Sequence, residues 1–90
     1  MKLQIRYCPT WNGYDEAAQS VHMEIMRNIY EKKLSNDIVS SVMQGDKGEF
    51  TVKYGDNIIF DKSKKNRFPE KDEIVKLIKW KIYLQNIQMK

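Results

Sequence analysis

The 90-residue chain holds one cysteine, one histidine, two prolines and no long apolar run. Each scarcity excludes something. A lone cysteine, Cys8, leaves no internal disulfide, so a disulfide-stapled secreted scaffold is ruled out. Cys8 and His22 cannot together supply the four ligands of a usual zinc site, so no metal is expected. No apolar stretch approaches the ~18 residues that span a bilayer, and the segment Met1 to Arg6 lacks the apolar core of a signal peptide. The expectation is a cytoplasmic protein with no membrane partner. Linkers, repeats and low-complexity stretches are absent as well, so residues 1–90 read as one domain.

What is present is an apolar share of 41%, enough for one core in a domain whose small size keeps its stability modest. The net charge is +4, with Lys62, Lys64, Lys65 and Arg67 in one cluster and Lys76, Lys79 and Lys81 in another. Acidic residues interleave with them and no nucleic-acid-binding motif accompanies them, so the charge reads as a solvated surface. No nucleic-acid partner is expected.

Residues 2–7 alternate, with Leu3, Ile5 and Tyr7 on one side and Lys2, Gln4 and Arg6 on the other, the pattern of a strand buried on one face. From about Tyr14 to Lys33 the period changes. Ala18, Val21, Ile25 and Ile29 follow helical steps, with Asn12 as the expected N-cap. Residues 36–43 form a weaker strand candidate around Ile38, Val39 and Val42. Phe50, Val52 and Tyr54 alternate in a further strand, Gly55-Asp56 suits a tight hairpin turn, and residues 57–61 return as its partner. Residues 62–66 read as a polar loop. Phe68-Pro69 then opens a second helix with Pro69 at its first position, Ile74, Leu77, Ile78 and Ile82 on its apolar side, and fraying past Tyr83. The order is β-α-β-β-β-α. A parallel β-α-β crossover followed by an antiparallel hairpin predicts an α/β two-layer sandwich, with a mixed four-stranded sheet and two helices on one face.

Three stretches carry a resemblance: "RYCP" at the end of the first strand, "GEFTVKYGDNIIFDK" over the hairpin, and "NRFPE" before the last helix. In order and spacing they resemble the selenoprotein W-related (Rdx) family, which implies a thioredoxin-like fold. The family's redox motif is C-x-x-C or C-x-x-selenocysteine. Here Cys8 stands at its first position and Trp11 at the second. The resemblance implies thiol–disulfide chemistry, but a dithiol cycle needs a resolving thiol in the same molecule, and this chain has none. No proline precedes the Phe50 strand in the place of the cis-proline that faces the thiol in thioredoxins.

Cys8 is the candidate redox thiol. Just before a helix, backbone N–H groups and the macrodipole favour an anion, and such cysteines have pKa values lowered to roughly 3.5–7.5. Pro9 holds Cys8 extended in the connecting loop, and alternation places it on the wetter side. The bland alternative is a buried, inert cysteine packed as a small hydrophobe. Pro9, Thr10 and Trp11 are the candidate binding residues beside it. Thr10 serves either as a hydroxyl donor to the thiolate or as a loop residue, and Trp11 either as an aromatic pad for a partner or as cover for the sheet end. Arg67 and Phe68 join them only through the resemblance. His22, some ten residues into the first helix, is too far from Cys8 to act as its base. The expected function is redox sensing or adaptor work through Cys8 alone. It would run by a mixed disulfide with glutathione or a protein thiol and without a bound cofactor. The alternative is a protein-binding module that has kept the fold and lost the chemistry. Oligomeric state stays open.

Overall fold

A computed structural model describes the backbone of residues 1–88 and the side chains of residues 1–87. The elements in order are β1 (Lys2–Tyr7), α1 (Tyr14–Tyr30), β2 (Val39–Gln44), β3 (Phe50–Tyr54), β4 (Asn57–Asp61), α2 (Lys62–Lys65) and α3 (Glu73–Gln88). The sheet order is β2-β1-β3-β4. β1 is parallel to β2 and antiparallel to β3, and β4 returns antiparallel to β3. This is the mixed four-stranded sheet that the hydrophobic pattern predicts, in a thioredoxin-like α/β sandwich.

β1 has a neighbour on both sides yet alternates, because only one face of the sheet is covered. Leu3 and Ile5 are fully buried, as are Val52 of β3 and Phe50 opposite Tyr7, while Lys2, Gln4 and Arg6 face outward. α1 lays Tyr14, Ala18, Val21 and Ile25 on this face. α3 adds Ile74, Val75 and Ile78, with Leu77 and Ile82 partly buried at the margin. One cluster joins all of them.

Several boundaries differ from the sequence expectations. The N-cap of α1 is Gly13, not Asn12. Its φ of 83° is open to glycine, and it lets the chain turn into the helix one residue later without a side-chain cap. The helix ends at Tyr30 instead of Lys33. Lys32 takes a left-handed conformation, and the Lys33 and Leu34 N–H groups both bond back to the Asn28 carbonyl, which swings Leu34 into the core. β2 starts at Val39 because Ser35 organises a turn, accepting the Asp37 N–H on its hydroxyl.

Residues 62–66 are not a plain loop. The Asp61 carboxylate accepts from the Ser63 N–H at 3.0 Å and from its hydroxyl at 2.7 Å, capping the single turn of α2. α3 begins at Glu73 and not at Pro69. Residues 70–73 form a turn with Asp72 at φ 66°, and the Asp72 N–H is held by the Glu24 carboxylate of α1. α3 also continues past Tyr83 to Gln88. In β4, Phe60 pairs with Val52 but Ile58 pairs with Lys53, so Ile59 is an extra, bulged residue. The bulge reverses strand parity: Phe60 enters the core while Ile58, two residues away, faces outward.

Candidate thiol site

β1 delivers Cys8 to the end of the sheet. The Cys8 N–H bonds the Glu49 carbonyl at 2.7 Å, so the residue is tied to the segment that precedes β3. Glu49 is itself anchored. Its carboxylate accepts from Arg6 Nε at 3.0 Å, from the Thr51 hydroxyl at 2.7 Å and from the Asp46 N–H at 2.8 Å. Although desolvation opposes ionisation, these donors hold its carboxyl below the usual range.

Cys8 is 1% exposed, which corrects the expectation of a wet position. Strand parity lapses where β1 ends at Tyr7: Pro9 and Thr10 turn the chain, and the side chain folds under its own loop. The thiol joins the buried core cluster at the end of the sheet. Desolvation pushes its pKa up. The Thr10 hydroxyl, 3.5 Å from Sγ, and the backbone N–H groups of Gly48, Thr10 and Trp11 push it down further. The balance takes it from 9.0 to about 7. Burial here therefore does not hold the thiol up, because the donors around it outweigh the loss of water.

The Trp11 side chain, three residues on, is 45% exposed. Its ring lies on Gly48, where a Cβ would meet Trp11 Cη2 at 2.8 Å. Gly48 has φ 75°, so the position needs glycine both for its backbone and for the ring above it. Gly48 thus serves the site twice, sending its N–H toward the sulfur and seating the indole.

From Trp11 an aromatic chain runs inward. Trp11 meets Tyr14 edge-on at 5.5 Å, Tyr14 meets Phe68 at 4.9 Å, and Phe68 meets Phe50 at 5.2 Å. The structure therefore brings Phe68 into the same group as Trp11. Arg67 is bonded to the start of α3. Its guanidinium grips Glu73 in two bonds of 2.6 and 3.0 Å and stacks over Phe60, a latch on the start of α3. That contact, opposed by some desolvation, holds the Glu73 carboxyl down to about 2.

Beside Trp11 a hollow of about 290 Å³ is lined by Trp11, Tyr14, Gly48, Lys62, Ser63 and Asn66. Lys62 Nζ stands 5.2 Å from the Tyr14 ring centre and 5.0 Å from that of Phe68, and it makes no ion pair among the described residues. Sequence reasoning missed Tyr14, Gly48 and Lys62. Lys62 belongs to a lysine cluster whose pattern gives only surface charge, and nothing near Gly48 in sequence points to Trp11. Elsewhere, His22 bonds through Nδ1 to the Ser40 hydroxyl at 2.7 Å, joining α1 to β2 away from Cys8.

A model of the Rdx family matches residues 2–80. The chain belongs to the Rdx family. The match takes in Cys8, Trp11, Arg67 and Phe68, and with it the protein's function is redox-related in kind. No curated protein matches the chain as a relative. Among the described residues of this Rdx protein, no group of three or more acidic, histidine or cysteine side chains is placed to hold a metal, and no helix is long and apolar enough to cross a membrane.

Proposed function

We propose that this Rdx protein works as a single-thiol redox protein through Cys8, forming a mixed disulfide with glutathione or with a protein thiol. What carries the reading is the place of the chain's one thiol, at the end of β1 with the Thr10 hydroxyl 3.5 Å from its sulfur, where that hydroxyl and three backbone N–H groups bring its pKa down to about 7. In the first step the Cys8 thiolate attacks a disulfide R–S–S–R′. The Cys8–S–R bond forms, the S–S bond breaks, and R′ leaves as a thiolate. In the second step an external thiolate attacks the mixed disulfide and releases Cys8 in its starting state. No internal group can complete that second step.

The burial of Cys8 adds a condition. Attack requires the Pro9 to Gly13 loop to lift, carrying Trp11 off Gly48. The hollow beside it, with an aromatic wall and Lys62 as its free cation, suits a partner that bears a carboxylate, as glutathione does. The site residues on this reading are Cys8 as nucleophile, Thr10 as donor to the thiolate, and Pro9, Trp11, Phe68 and Lys62 as the surface that receives the partner. Arg67 supports that surface from behind through Glu73.

The test is the rate of Cys8 alkylation against pH, joined to mass spectrometry after exposure to oxidised glutathione. An inflection near pH 7 and a one-to-one glutathione adduct are expected. An inflection near that of free cysteine, with no adduct, overturns the reading. The exposed Trp11 favours a second reading, a non-catalytic binding module. Cys8→Ser decides between them: partner binding that survives the substitution unchanged favours the module.

A further inference from the structure

The charge of the chain is concentrated at one end. All 12 acidic residues lie at or before Glu73, where 12 of the 16 basic residues balance them. The net +4 is therefore the four lysines that follow: Lys76, Lys79, Lys81 and Lys90. The first three are on α3. The helix's one acid, Glu73, is already taken by Arg67.

The same helix is apolar on two sides. Ile74 and Ile78 face the core, but no residue from Lys79 to Ile87 is buried. Trp80, Tyr83 and Ile87 recur at helical steps on the side away from Ile78, and they are 56%, 54% and 48% exposed. Trp80 stacks on Tyr83, ring centres 5.5 Å apart and planes 26° from parallel. Lys76 and Lys79 line one shallow hollow with these two rings and make no ion pair among the described residues. A helix that has packed its apolar side inward ordinarily turns a polar side outward. α3 turns out aromatic rings and cations.

We infer that this outer side of α3 rests on an anionic lipid surface. Trp80, Tyr83 and Ile87 enter the boundary between headgroups and acyl chains, and Lys76 and Lys79 meet the lipid phosphates and carboxylates. Trp and Tyr suit that boundary because each joins an apolar ring to a polar tip. Lysine suits it because its stem lies along apolar surface while the ammonium stays wet. Size argues against a protein partner. A convex strip on a single helix offers on the order of 300 Å², against the roughly 800 Å² per side of a specific protein interface. A lipid surface sets no such threshold, since buried apolar area and attraction to anionic headgroups add. A nucleic acid would engage the lysines and stack on the rings, but it would leave Ile87 idle. No helix here is long and apolar enough to cross a membrane, and lying on one asks for a different pattern, the one α3 has.

Flotation of the full chain, under reducing conditions, with vesicles of phosphatidylcholine alone or with about 30% phosphatidylserine tests the contact. The chain should float with the anionic vesicles, stay behind with the neutral ones, and be released as salt rises from about 0.05 M to about 0.5 M. Trp11→Phe leaves Trp80 as the one indole, and its emission should shift to the blue on binding. Lys76→Gln with Lys79→Gln should weaken binding more than about tenfold, at about fivefold per lysine. Trp80→Glu should weaken it at least about tenfold. All three positions are exposed, so circular dichroism should not change. A chain that ignores the anionic vesicles overturns the inference and leaves the strip for a protein. So does equal flotation with neutral vesicles, or a Trp80 emission that does not move. Undiminished binding by Trp80→Glu also overturns it, marking a plain polyanion contact such as a nucleic acid makes.

Discussion

Cys8 shows how far a single residue's behaviour departs from its burial. Solvent exclusion alone would keep the thiol neutral, yet the donors around it outweigh that cost. Thr10 is the donor that can be removed without touching the backbone. Thr10→Val should raise the Cys8 pKa by up to about one unit, which cuts the thiolate fraction at pH 7 about fivefold. The matching readout is alkylation rate at pH 7, with the rate at pH 10 left unchanged. The same shift links to folding. A cysteine whose folded pKa lies at about 7, below its ordinary 9.0, contributes stability that is complete above pH 9 and lost as pH falls through 7. Wild type should therefore gain stability over Cys8→Ser between pH 7 and pH 9 in urea titrations. Gly48 answers to sterics instead. Gly48→Ala would drive a methyl into the Trp11 ring, so faster Cys8 modification and a loss of about 1 kcal/mol or more in denaturant unfolding are expected together. Unchanged modification would show that the indole is not the cover.

At the level of elements, regions governed by hydrophobic period were legible and regions governed by polar side-chain bonds were not. β1, β3 and the core face of α1 follow directly from Leu3, Ile5, Phe50, Val52, Ala18 and Ile25. The start of α3 did not, because Pro69 is an ordinary helix opener and nothing nearby in sequence reveals that Glu24 holds the Asp72 N–H from another helix. α2 was hidden for a similar reason, its cap being an aspartate that also reads as the end of a strand. The Arg67–Glu73 latch gives this scale its prediction. With the Glu73 carboxyl at about 2 in the fold against an ordinary 4.5, the ion pair's contribution is present above pH 4.5 and is lost as pH falls through 2. Glu73→Gln should flatten the acid limb of the thermal unfolding curve between those values. Deeper in the same helix, Ile78→Ala empties a fully buried site and should cost about 2–5 kcal/mol.

Across the whole molecule, the sequence carried the layer order, the mixed sheet and the position of the thiol at its rim. It did not carry how that thiol is held, because residues distant in the chain hold it: Glu49 takes the Cys8 N–H on its carbonyl, and Gly48 seats the Trp11 ring. The bulge at Ile59 was likewise invisible, since Asn57 to Asp61 offers apolar residues at three successive positions and no parity to break. One end of the sheet matters at this scale for a different reason. Tyr7 is aligned with Gln44, so Cys8 stands just beyond the far end of β2. On the single-thiol reading, turnover then depends wholly on small or protein thiols that reach that end of the sheet from solution.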